Sequence, residues 1–215
     1  MLSRRLKLRI GCTASIALAA LSFGAVSANA GVLVSSAPSC DGQPLSTPFA
    51  PWPWLDPASY TPLPGGSFES STAGWSLSGG ATVGNGNESY YVAGAGTNSL
   101  TIPSGGSATS PVICVGIEHP TLRFFAKRNS GGLLGVVSTV RVDVLFESTL
   151  GLVSSLPIGV VLPSNSWQAT LPMTVLANLL PLLPGNYTPV QFRFTPLLGG
   201  TWSIDDVYVD PYQRH

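Results

Sequence analysis

The chain has 215 residues with ten basic and ten acidic side chains, and only 9% of its residues are charged, against roughly a quarter in an ordinary globular protein. No basic surface for nucleic acid can come from so few cations. With 24 glycines and 19 prolines, the composition reads as short strands and many turns rather than long helices.

Arg4, Arg5, Lys7 and Arg9 form a basic stretch, Ile10 to Val26 an apolar one, and Ala28-Asn29-Ala30 fits the small-residue rule for cleavage. Residues 1–30 are therefore expected to be a signal peptide, with the mature chain starting near Gly31 and released as a secreted protein. The apolar run is shorter than the roughly 20 residues a bilayer span needs, and no second transmembrane candidate follows. Removing four of the ten basic residues leaves six against ten acidic ones, a net charge of about −4. About 185 mature residues suit one domain, which buries around 70% of its unfolded surface without help from a metal.

Cys40 and Cys114 survive cleavage. In an exported chain an even pair reads most simply as one disulfide, with two buried thiols as the alternative. Closing a loop of this length stabilises by roughly 4.5 kcal/mol on the chain-entropy model.

Residues 31–64 are read as one segment, which from Cys40 to Pro64 carries prolines at 44, 48, 51, 53, 57, 62 and 64, with Phe49, Trp52, Trp54 and Tyr60 set among them. Proline at this density forbids a helix or an inner strand, and so many aromatic rings argue against a free linker. The expected form is an extended strap laid over the domain.

Residues 65–211 change to strand and turn. Val140, Val142, Val144 and Phe146 alternate with Arg141, Asp143, Leu145 and Glu147. The same period-2 pattern runs over 122–127 and 190–195. Shorter strands are predicted at 75–77, 90–92, 100–102, 112–115, 153–156, 168–173 and 202–209, separated by glycine-rich turns. Trp75 reads as a core anchor. Residues 175–184 read as one helical turn stopped by proline, either covered or left as an apolar patch. Strands so spaced, without an amphipathic helix, define an all-β antiparallel β-sandwich of the jelly-roll kind.

Gly65-Gly66-Ser67-Phe68-Glu69, then Gly74-Trp75, resemble the opening of galactose-binding-like jelly rolls, especially the carbohydrate-binding modules of xylanases and cellulases. Trp202-Ser203-Ile204-Asp205-Asp206-Val207-Tyr208-Val209 resembles their closing strand. Leu122-Arg123-Phe124-Phe125-Ala126-Lys127 and Ser166-Trp167 match interior strands. The mature chain as a whole resembles secreted proteins of actinobacteria. The resemblance implies that Glu69 meets Asp205 or Asp206 at the seam of first and last strands, where such modules hold a structural calcium. Gly65 and Ser67 stand where many members carry asparagine and aspartate, which removes oxygen ligands. Calcium and a metal-free, hydrogen-bonded carboxylate pair both remain open.

For catalysis the chain is poorly equipped: no Gly-x-Ser-x-Gly elbow occurs, and His119 and His215 have no partner pattern. Glu69 with Asp206 could be offered as an acid/base pair, but a structural seam is the wrong place for one. Binding is better served. Sugar rings present apolar faces edged with hydroxyls, so their sites combine flat rings with hydrogen-bonding side chains. Arg123, Phe125, Arg141, Asp143, Gln191 and Arg193 on the mixed strand faces, with Tyr90, Tyr91 and Trp167 from loops, are the candidates. The expectation is a non-catalytic domain binding a glycan or other cell-envelope polymer on its concave face. The alternative is a structural or adhesive envelope protein associating through the strap or the leucine-rich loop.

Overall fold

The computed structural model describes residues 31–70, 72, 74–118, 120–131, 137–179 and 181–210. The proposed signal peptide and both histidines lie outside them. The strands are β1 (Thr61–Pro62), β2 (Ser76–Ser78), β3 (Thr82–Asn85), β4 (Asn98–Ile102), β5 (Ser107–Thr109), β6 (Ile113–Val115), β7 (Thr121–Arg128), β8 (Thr139–Glu147), β9 (Val153–Val161), β10 (Gln168–Ala169), β11 (Met173–Thr174), β12 (Thr188–Leu197) and β13 (Trp202–Asp210). Two antiparallel sheets result. One has the order β10-β7-β13-β4-β3, with β1 also on β13 and β11 on β7; the other runs β2-β5-β12-β8-β9, with β6 on β12.

The alternation read from the sequence is what holds the layers together. Leu122, Phe124 and Ala126 of β7 meet Val140, Val142 and Val144 of β8, and Phe192 and Phe194 of β12, in one buried core. Trp75 is buried at 8% exposure and donates its indole N–H to the Pro64 carbonyl at 2.9 Å. Burying such side chains contributes roughly 1.5–3 kcal/mol each before entropy is counted. Cys40 and Cys114 are joined, tying the start of the strap to β6 across 74 residues.

The strand readings need four corrections, the first being that the strand expected at 153–156 runs on to Val161, where Gly159, Val160 and Val161 keep pairing with β8 beyond Pro157. Residues 90–92 form a turn, not a strand, because the Glu88 carboxylate takes the N–H groups of Tyr90 and Val92, and Tyr91 sits at φ 55°. Those donors are satisfied by a side chain instead of a ladder. Residues 168–173 split into β10 and β11, because the Thr170 hydroxyl takes the Phe124 N–H and Pro172 interrupts pairing. Strands β3 and β5 escaped notice because glycine, asparagine and serine dominate them. Residues 177–179 do form a single 3-10 turn, with Val175 buried before it and Leu176 and Leu179 exposed. Among the described residues no helix is long and apolar enough to cross a membrane.

Candidate functional site

The strap decides what the outer face of the larger sheet can do. Phe49 and Tyr60 from the strap form a second buried cluster with Phe125, Trp167 and Tyr208, and Trp54 and Val92 pack against it. Phe49 stacks on Phe125 at 5.8 Å and meets Tyr60 and Tyr208 edge-on. Arg123, only 4% exposed, lies 4.2 Å over the Phe49 ring, and its guanidinium Nη1 donates to Asp56 Oδ2 at 2.6 Å. The Tyr60 hydroxyl donates to the same oxygen at 2.7 Å. Burial pushes the Tyr60 phenol up to about 12. Burial alone would raise Asp56 too, but the Tyr60 hydroxyl, the Ala58 N–H and Arg123 outweigh it and hold the carboxyl below its usual range.

This covering corrects the expectation of one groove. Phe125, Arg123 and Trp167 are on the larger sheet and buried, under strap residues that fill the place a ligand ring would take. Arg141, Asp143, Gln191 and Arg193 are on the other sheet. There Asp143 accepts from Arg141 at 3.1 Å and Arg193 at 3.4 Å, while Gln191 donates to the Ser110 carbonyl. That set answers itself across strands β8 and β12, as an ordinary sheet face does.

Tyr90 borders the covered set, its ring 5.5 Å from that of Phe125, while Tyr91 next to it points into solvent. Trp54 and Tyr90 meet edge-to-face at 4.9 Å. Among the described residues the large exposed aromatic side chains are Trp52 at 80%, Tyr91 at 56% and Tyr90 at 43%. The Trp54–Tyr90 contact joins the two loops that carry these three side chains, Trp52 two residues from Trp54 and Tyr91 next to Tyr90. A rim of flat rings in water is chemically suited to stack on the apolar face of a sugar.

The seam also departs from expectation. Leu63 donates to the Val207 carbonyl and Val207 to Gly66, so the opening segment does run beside β13. Glu69, however, is exposed and accepts the N–H groups of Thr97 at 2.9 Å and Asn98 at 2.7 Å. The carboxylate that joins Asp205 and Asp206 inside is Glu88, fully buried, which sequence reasoning missed. Asp205 accepts the N–H groups of Glu88 and Asp206, and Asp206 that of Ala93. Burial, with the neighbouring carboxylates adding to it, raises Asp205 to about 8 and Asp206 to about 7. The Glu88 carboxylate is among the neighbours that disfavour the charged form of both aspartates. Among the described residues no three acidic, histidine or cysteine groups come together as a metal centre. Glu69, the ligand the resemblance implied beside Asp205 or Asp206, instead gives its oxygens to Thr97 and Asn98.

No family model matches the chain, and no curated protein matches it. Solved structures to which it is similar are carbohydrate-binding modules. One is the N-terminal module and catalytic module of Clostridium thermocellum endo-1,4-β-D-xylanase 10B complexed with xylohexaose, at 15% identity and a TM-score of 0.48 over 72% of this chain. The match spans 29% of that xylanase chain. A family 22 xylan-binding domain is similar at 17% identity and 0.46, over 74% of this chain and 99% of that domain. A family 61 module in complex with β-1,4-galactotriose follows at 14% and 0.42, over 71% and 97%.

Proposed function

We propose that the chain is a secreted, non-catalytic binding protein for a glycan or another cell-envelope polymer, and that it holds the polymer on the aromatic rim of the strap. The observation that carries this reading is the exposure of Trp52, Tyr90 and Tyr91 on two loops that the Trp54–Tyr90 contact joins. A flat ring open to water offers the face on which the apolar side of a sugar stacks. The rim replaces the sheet face, whose ring at Phe125 is already taken by Phe49.

Depletion from solution by insoluble polysaccharides, reversed by the matching free oligosaccharide, tests the reading. Trp52→Ala combined with Tyr91→Ala is expected to lower affinity at least tenfold with an unchanged melting temperature, because both rings stand in solvent. Retention by glycan that is indifferent to both substitutions would sink the rim. The second reading is an adhesive envelope protein, favoured by exposed Leu176 and Leu179. It requires light scattering to show concentration-dependent assembly in the absence of sugar.

A further inference from the structure

Between Glu147 and Arg193 the chain carries no charged residue. This stretch supplies β9 and the short strands β10 and β11, the edges of the two sheets on one side of the sandwich. Because β10 and β11 hold two residues each, the sheets do not close there. Leu156, which the register sets opposite the buried Val144, is still 37% exposed. A cleft of about 640 Å³ opens between the edges, a size within the roughly 300–1,000 Å³ of small-molecule sites. Exposed Val160, Leu162, Leu171 and Leu176 line it, with Met173 set against Gly159.

Two candidate occupants fit poorly. Strand addition along β9 is blunted by Pro157 and by the register shift beside it. A second copy would present the same recess, so paired rims would leave both recesses empty.

The cations suggest a third. Of the five described lysines and arginines, Arg123, Arg141 and Arg193 pair with carboxylates. Lys127 and Arg128 face none within the described residues. Lys127 lies 5.1 Å over the Trp167 ring, and Arg128 donates to the neutral Asn165 side chain at 2.9 Å. With Asn129 and Asn165 they line a polar depression of about 480 Å³. It adjoins the cleft: Ala126 and Ser164 line the one, and their neighbours Lys127 and Asn165 the other. Arg128 also shares strand parity with Ala126, so it comes off β7 on the cleft's side.

We propose that these two recesses form one site for an anionic amphiphile, an aliphatic chain in the cleft with its carboxylate or phosphate head on Arg128. A guanidinium is the donor best shaped for such a head, and the cleft supplies no acid to repel it.

Dodecanoate and dodecyl phosphate, each below its micelle concentration, are the probes, with dodecyltrimethylammonium as the control, read by isothermal titration calorimetry. Saturable one-to-one binding of an anionic probe is expected, with the ammonium at least tenfold weaker; the two anionic probes together say whether carboxylate or phosphate is preferred. Arg128→Gln should weaken anion binding roughly tenfold, the order expected for a lost charge-assisted hydrogen bond, and leave the control unmoved. Val160→Asp should abolish binding of both anionic probes, and Val160 is exposed enough for the fold to survive it. Equal affinity for anionic and cationic probes, or no saturable binding, overturns the proposal. Binding that ignores Val160→Asp overturns it too.

Discussion

Phe49 of the strap lies over Phe125 of β7 with ring centroids 5.8 Å apart and planes 29° apart. A ring of the same chain therefore occupies the sheet face. Truncating Phe49 to Ala is expected to cost about 3–5 kcal/mol, the usual range for a buried phenylalanine, and to loosen residues 44–60 before the sheets. Urea unfolding with limited proteolysis checks this. A strap as resistant to protease as the parent would mean that the disulfide and the Arg123 contacts hold it without the ring.

The Arg123–Asp56 pair is predicted to act through what is left behind. Asp56→Asn leaves a buried guanidinium without its carboxylate, at a cost of about 3 kcal/mol, the low end for such pairs since Asp56 keeps some contact with water. Replacing both, by Arg123→Met with Asp56→Asn, should recover part of that loss. A double-mutant cycle by chemical denaturation measures the coupling.

Stability should fall as the medium turns alkaline. Asp205 and Asp206 have folded values raised to about 8 and 7, so between about pH 4 and pH 8 the native state holds protons that the unfolded chain has released. The linkage slope is then negative: the contribution is full below about pH 4 and lost as pH rises through 7 to 8. Asp56, held low, works in the opposite sense but only below about pH 4. Asp206→Asn should flatten the dependence between pH 5 and 8.5, and asparagine tolerates the φ of 46° found there. A melting profile as steep as the parent's would move the titration elsewhere.

Calcium should not be required. With N–H donors already on Asp205, Asp206 and Glu69, chelator and added calcium are both expected to leave the melting temperature unchanged at pH 7. A rise with calcium, at roughly 2.7 kcal/mol for a hundredfold excess over the dissociation constant, would show that the donors give way and that the resemblance implied the right ion.

Signal cleavage after Ala30 would make a further contact. Gly31 lies so close to the buried Glu147 carboxylate that a Cβ would fall on it, and Glu147 also accepts the N–H groups of Leu33 and Val34. In the processed chain the new α-ammonium sits beside that carboxylate. Glu147→Gln should then cost about 2 kcal/mol, or several degrees of melting temperature, and clearly less in a chain that retains Ala30. Calorimetry on both forms, after mass spectrometry of the secreted protein, decides it.

Strands β7, β8 and β12 were legible because their apolar residues repeat every second position, a signal carried by six or more residues each. Val140, Val142 and Val144 needed nothing else to be placed in the core. Phe125 and Arg123 were legible as the outer face of β7 but not as buried, since their cover comes from Phe49 and Asp56, more than sixty residues away. Asp56 did leave a trace, as a lone charge inside an aromatic and proline-rich stretch. Glu88 left none: its glycine- and asparagine-rich loop looks like a surface turn, and its contact with Asp205 joins positions 117 residues apart.

The strand order carries a kinetic consequence. In the larger sheet β13 lies between β7 and β4 and also pairs with β1, so its neighbours have no common partner until residues 202–210 have been made. Before then the exposed edges of β4 and β7 cannot be joined by any local pairing, and most contacts that close the sheet are distant in sequence. Chains of such topology fold slowly, in milliseconds to seconds rather than microseconds. Local hairpins such as β3–β4 and β8–β9 can pair earlier, but the larger sheet closes only when the last strand arrives.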